Sequence, residues 1–178
     1  MQALVTGMIG IVGLVSVGCS TGTFFPPEGT RDAASIQFGV LVPRPEVFTG
    51  RVIQIAGRIV GVEQSADGIL IRAQELPMQE HPVYGPAEVN KGTPEFAIKY
   101  RGKVDDRAFW FGDKLVVVAV GQGSRPLTVD GVIRTAPYVV ARCMHIWKTG
   151  EDGSYGIEEY PNLPDGYYSL KHQTYCAN

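Results

Sequence analysis

The clearest alternation of apolar and polar positions lies in residues 48–63. Ile53, Ile55 and Ile59 fall on one face at a spacing of two, with polar side chains between them. Such a pattern is typical of a half-buried β-strand. Gly57 shares the isoleucine face, and a glycine within a strand often marks a bulge or a tight bend. The alternation therefore predicts a long first strand that bends at Gly57.

Four further stretches carry strand signals, at residues 69–76, 96–100, 115–120 and 138–147. The stretch 115–120 is almost continuously apolar and rich in valine, which predicts a strand covered on both faces. We expect a hairpin turn at Asp67-Gly68 and further turns in residues 121–126 and 129–132. No helical periodicity of useful length follows Gly18. Five or more short strands joined by turns predict an all-β fold, and the bent first strand favours a small OB-like barrel of five to six strands.

The segments on either side of this barrel differ from it in composition. We place the barrel domain in residues 48–150, because residues 19–47 contain proline and glycine too often for a regular element and predict a tether. Residues 151–178 are acidic and predict an irregular tail. Five tyrosines lie in it: Tyr155, Tyr160, Tyr167, Tyr168 and Tyr175. So many aromatic side chains indicate that the tail packs against something.

Residues 3–18 are apolar or small throughout and contain no charged side chain. The run is short for a membrane span, which takes about 20 apolar residues, and fits the apolar region of an export signal. It ends at Cys19 in a pattern that resembles the lipobox of bacterial lipoproteins, although Ser16 stands where Leu or Val is usual and no basic residue precedes the run. The resemblance implies a signal peptide over residues 1–18 and acyl chains of the palmitate type on Cys19. The alternative is an uncleaved anchor helix with an ordinary buried cysteine.

The chain has 178 residues, a formal net charge of −2 and three cysteines. A charge so close to zero argues against nucleic-acid binding, which usually needs a basic face. If Cys19 carries lipid, Cys143 and Cys176 remain and can pair in the oxidising envelope. Two alternatives remain open, because the number of cysteines does not determine their connectivity. Cys143 can be a buried free thiol, and Cys176 can pair with another chain.

The sequence contains no recognisable catalytic motif or metal-ligand spacing, and we expect no enzyme activity, metal or cofactor beyond the lipid. The three histidines are far apart in sequence, at His81, His145 and His172. Asp105, Asp106 and Asp113 predict a solvated acidic loop, with a cation site as the alternative. Phe109, Trp110 and Phe111 place aromatic side chains on both faces of the chain. One face is expected to be core, and the other is either a patch that binds a partner, lipid or glycan, or a layer covered by the tail tyrosines.

Several segments together resemble the Slp family of outer-membrane lipoproteins. They are residues 45–52, 57–59, 109–121, 130–131, 137–141 and 145–147. The resemblance covers roughly residues 1–148. The residue after Cys19 is Ser20 and not Asp, and in this the chain resembles lipoproteins of the outer-membrane class. It implies a starvation- or stress-linked lipoprotein without established enzymatic activity, attached to the outer membrane through Cys19. We expect a structural or accessory subunit with an envelope protein partner. The alternative is a module that binds a small ligand or envelope glycan on the barrel face.

Overall fold

A computed structural model describes residues 24–79, 85–89, 92–104, 108–129, 131–148, 157–159 and 168–177. The strands are β1 (Ala34–Ser35), β2 (Val52–Ser65), β3 (Gly68–Leu76), β4 (Glu95–Tyr100), β5 (Lys114–Val129), β6 (Val132–Trp147), β7 (Ile157–Glu159), β8 (Tyr168–Leu170) and β9 (His172–Cys176). A short helix α1 spans Pro27–Thr30, and a 3-10 turn spans Pro45–Phe48. The chain is therefore mainly β, as the sequence predicted.

Five strands close into a ring in the order β2, β3, β4, β6, β5 and back to β2. All neighbours are antiparallel except β4 and β6, which are parallel. Strand β2 closes the ring because it is long: residues 52–58 pair with β5, and residues 56–65 pair with β3. The pairing of β2 is irregular between Ile59 and Gly61, two residues beyond the glycine that we expected to mark the bend.

Apolar side chains from all five strands fill the inside of the ring. The largest fully buried side chains include Tyr100, Phe96, Ile53, Ile59, Ile71, Ile98, Leu115 and Ile146. The first part of strand β5 is buried on both sides, because Leu115 and Val117 face this interior while Val116 and Val118 join an outer cluster with Phe25. The prediction that this strand is covered on both faces is confirmed.

The predicted turn at residues 121–126 is wrong, because β5 continues through it to Val129. The glycines there form a bulge, and the register with β6 shifts between Gly121 and Ser124. Gly123 has a φ of +70°, and the Glu46 carboxylate accepts a hydrogen bond of 2.8 Å from Ser124 N. A distant carboxylate thus stabilises the bulge and lets the strand go on. The tight turn at residues 129–132 is present, since β5 and β6 pair up to Val129 and Val132.

Both flanking segments are more regular than expected. Residues 24–47 hold α1 and β1, and β1 pairs with β2 in parallel. Phe25 and Leu41 are buried, so this part of the predicted tether packs on the ring. The described residues of the tail are more regular than predicted: β9 pairs with β6, and β7 pairs with β8 in a separate sheet. The signal, Cys19 and three of the tail tyrosines (Tyr155, Tyr160 and Tyr167) lie outside the described residues.

Candidate functional site

A disulfide joins Cys143 of β6 to Cys176 of β9. The two residues lie opposite each other in the antiparallel pairing of these strands. Cys143 is 1% exposed and belongs to the outer cluster with Val118 and Trp147. The bond closes a sequence separation of 33 residues and attaches the end of the chain to the ring.

The described chain begins with an aromatic arm, Phe24 and Phe25, that packs across β6 and β9. The ring centroid of Phe24 lies 4.4 Å from that of His145 and 5.2 Å from that of Trp147. The carbonyl of Phe24 accepts a hydrogen bond of 3.0 Å from Thr174 Oγ1. These contacts fix the start of the described chain on the disulfide-linked strands.

His145 lies beneath the aromatic arm and is 3% exposed. Its Nδ1 lies 2.7 Å from Thr174 Oγ1. Because the single hydroxyl proton of Thr174 goes to the Phe24 carbonyl, Nδ1 of the neutral imidazole must be the donor, which leaves Nε2 as the bare nitrogen. Burial lowers the pKa of His145 from 6.5 to about 4, and the nearby His172 adds a smaller lowering. The histidine is therefore neutral at ordinary pH and serves packing.

The aromatic run 109–111 divides between core and surface. Phe109 is 5% exposed, and its ring centroid lies 6.0 Å from that of Tyr100 and 5.2 Å from that of Tyr175. The ring of Phe109 therefore fills the end of the core, on the face of the run that we expected to be buried. Trp110 and Phe111 are 40% and 75% exposed. The tail contributes Tyr175 to the buried side of the run.

Asp113 fixes the aromatic loop, residues 108–113, to the ring. Its side chain is fully buried, and Oδ2 lies 2.9 Å from Lys148 Nζ and accepts a hydrogen bond of 3.0 Å from Trp110 N. The backbone of Gly112 donates to the carbonyl of Ile59 at 2.8 Å. Asp113 is thus an internal anchor and not part of a solvated acidic loop; Asp105 and Asp106 lie outside the described residues.

A cleft of about 350 Å³ lies outside the ring, between β3, β4 and the far part of the β5–β6 hairpin. Its lining residues are Val42, Arg72, Thr93, Glu95, Phe96, Leu127, Arg134, Thr135, Ala136 and Pro137. Arg72 Nη1 lies 3.4 Å from Glu95 Oε2. Arg72 Nε and Thr93 Oγ1 are buried and have no hydrogen-bond partner among the described residues. No sequence motif indicated this cleft, because its lining residues come from distant segments of the chain.

The buried carboxylate of Glu75 is a second feature that was not predicted from the sequence. It is 2% exposed, and its Oε1 accepts a hydrogen bond of 2.8 Å from Gly39 N. Burial raises the pKa of Glu75, and the Gly39 hydrogen bond opposes this only in part. The signal was available: Glu75 continues the alternation of Ile71 and Ala73, which places it on the inner face of β3.

Among the described ranges, no group of three histidine, cysteine or acidic side chains is placed to hold a metal ion. Within the same part of the chain, no helix is long and apolar enough to cross a membrane. His81 lies outside it. The fold does bring His145 and His172 together, with ring centroids 4.9 Å apart.

Comparison with known proteins gives one family. Searches of curated proteins and of solved structures return no significant match. The model of the outer membrane lipoprotein Slp family matches residues 17–174, which include Cys19, the five strands of the ring and most of β9. Since the match spans most of the 178 residues, the chain belongs to the Slp family of outer membrane lipoproteins.

Proposed function

We propose that this outer membrane lipoprotein is anchored by lipid on Cys19 and acts as a non-enzymatic accessory subunit of another envelope protein. The family match, which includes Cys19, supports the anchor. The aromatic arm supports it as well, because Phe24 follows Cys19 by five residues, which span at most about 18 Å. Several acyl chains, at about 0.8 kcal/mol per buried methylene, would hold the ring close to a bilayer. The stress-linked role implied by the family resemblance is part of the same proposal.

The accessory role rests chiefly on one observation, the exposure of Trp110 and Phe111 on a loop that Asp113 holds in place. Aromatic side chains are enriched at the centres of protein interfaces. A loop fixed by a buried ion pair loses little conformational freedom on binding, which favours affinity. Trp110 and Phe111 are therefore suited to dock on a neighbouring envelope protein. The adjacent Phe109 would support them from the core.

The docking proposal predicts that Phe111→Ser releases the partner. Loss of a central aromatic residue commonly costs at least about 2 kcal/mol, or roughly 30-fold in affinity. The measurement is chemical cross-linking in native outer membranes, followed by quantification of the proteins that co-purify with the tagged chain. Ile133→Ser is the matched control, because Ile133 is 73% exposed and Phe111 75% exposed. A co-purified set that both variants leave unchanged, or both reduce equally, contradicts docking through this loop.

The chemistry of the partly buried pair formed by Thr174 and His145 agrees with a non-enzymatic role. In a hydrolase the imidazole must accept the proton of the nucleophilic hydroxyl. Thr174 instead donates to the Phe24 carbonyl, and His145 Nδ1 donates to Thr174. The pKa of His145, lowered to about 4, also makes this imidazole a weak base. The hydrogen bond from Thr174 to the Phe24 carbonyl instead holds the aromatic arm on β9.

A second candidate is a binding module that uses the outer face of the ring. We infer that the ring of five strands is an OB-type barrel, which the closure of β2 onto both β3 and β5 supports. OB folds bind oligonucleotides and oligosaccharides on the face of their second and third strands, together with two of their loops. The cleft beside β3 and β4 favours this candidate, because its volume falls within the range of small-ligand sites.

A further inference from the structure

Arg72 is held in an unusual position across strand β2. A Cβ at Gly61 would lie 2.7 Å from Arg72 Nη2 and 2.8 Å from Arg72 Nε, so the guanidinium rests on the bare backbone of Gly61. The two residues are direct partners at the point where the β2–β3 register shifts. The irregular pairing and the missing side chain together provide the space for the arginine. The guanidinium is thereby positioned before any ligand arrives.

Arg72 retains hydrogen-bonding capacity in this position. Its side chain is 17% exposed, and its interaction with Glu95 at 3.4 Å uses only the Nη1 end of the guanidinium. The Nε donor is buried and has no hydrogen-bond partner among the described residues. A guanidinium prefers two parallel hydrogen bonds to a carboxylate or phosphate. The free Nε is thus a donor that an oxyanion in the cleft can satisfy.

The other polar groups of the cleft also suit an anion. Thr93 Oγ1 is buried and unpartnered within the described part of the chain, and its hydroxyl can donate. Arg134 lies at the exposed rim, so the cleft holds two arginines against the single carboxylate of Glu95. Leu127 and Ala136 form an apolar wall beside them. The balance of charge disfavours a cation, and the wall offers a surface for the non-ionic part of a ligand.

We propose that this cleft binds a small ligand that carries a carboxylate or a phosphate, with the oxyanion on Arg72 Nε and Thr93 Oγ1. Arg134 closes over the oxyanion from the rim, and the remainder of the ligand packs on Leu127 and Ala136. The proposal rests on the binding-module candidate and does not depend on the lipid anchor. Acidic sugars and phosphate groups both present such an oxyanion.

The test titrates the full mature chain, in detergent micelles, with glucuronate, glucose and inorganic phosphate while NMR follows the arginine Nε–H resonances. We expect saturable shifts of the Arg72 resonance with glucuronate or phosphate, and none with glucose, which lacks the carboxylate. Shifts with glucuronate alone identify an acidic sugar site. Shifts with phosphate alone identify a phosphate site.

Variants connect the binding to the cleft. Arg72→Met and Thr93→Val are expected to weaken binding at least tenfold, with thermal melts showing that both remain folded. Arg125→Met is the matched control, because Arg125 stacks on Tyr138 at 4.7 Å and does not line the cleft. Equal loss in all three variants overturns the proposal, as does the absence of saturable shifts with either anion. Equal binding of glucose and glucuronate overturns the oxyanion chemistry alone and leaves the binding module standing.

Discussion

Gly57 has no room for a side chain. It lies where β2 pairs with Glu75 of β3 on one side and with Leu115 of β5 on the other. A Cβ at this position would lie 2.7 Å from the carbonyl oxygen of Gln74 and 3.1 Å from Cε1 of Phe96. The sequence pattern singled out this glycine, but the physical reason is the close approach of β3.

Gly57→Ala should therefore destabilise the fold by about 1 to 3 kcal/mol, because β3 must move to admit the methyl group. The measurement is the urea midpoint of unfolding. Gly92→Ala is the matched control, since a Cβ at Gly92 has open space within 4 Å. That variant should be neutral or slightly stabilising. Equal midpoints for the two variants would show that β3 does not crowd Gly57.

His145 should make stability depend on pH. The pKa of His145 is lowered to about 4 in the folded chain, whereas the unfolded chain takes up this proton near pH 6.5. The unfolded state therefore binds more protons between these values. The contribution of His145 to stability is complete above about pH 6.5 and declines as the pH falls to about 4, by up to about 3 kcal/mol.

Unfolding by urea at pH 7 and at pH 4.5 measures this effect. His145→Asn removes the titration but keeps a side-chain N–H near Thr174, and it should reduce the loss of stability at pH 4.5. His172→Asn, at an exposed position, should retain most of it. If the His145→Asn profile is as steep as that of the unmodified chain, the buried neutral histidine is ruled out.

At the level of elements, alternation located β2, β3 and β4 to within a few residues. It failed for β5, because the bulge at residues 121–123 is stabilised by Glu46, which lies 78 residues before its hydrogen-bond partner Ser124. An exposed patch was one of two alternatives that the sequence left open for the aromatic run. The position of the loop that carries the run depends on the contact of Asp113 with Lys148. The cleft could not be foreseen, since its central arginine depends on the register that places Arg72 opposite Gly61.

The disulfide between β6 and β9 is expected to stabilise the fold. A bond that closes a separation of 33 residues contributes about 3 to 4 kcal/mol on the chain-entropy model. A reducing agent should lower the melting temperature of the unmodified chain by roughly 6 to 16 °C. It should have no effect on the Cys143→Ser/Cys176→Ser double variant. Peptide mapping without reduction should give a peptide in which Cys143 and Cys176 are linked. Two alkylatable thiols in freshly isolated protein would contradict the intramolecular disulfide.

Across the whole molecule, the aromatic arm and the aromatic loop adjoin the same end of β6. Phe24 packs on Trp147, and the next residue, Lys148, binds Asp113 of the loop. A lipid on Cys19 would therefore hold Trp110 and Phe111 near the membrane, where another membrane-associated envelope protein can reach them. The proposed anchor and the proposed docking surface would in this way lie at the same end of the molecule.

The lipid anchor is the central element of the proposed function, and the intact mass of the protein extracted from native outer membrane tests it most directly. Lipid anchoring predicts a chain that begins at Cys19, without residues 1–18, with the added mass of acyl chains on that residue. Digestion should yield an acylated N-terminal peptide. A chain that retains Met1 and carries no lipid would contradict the anchor.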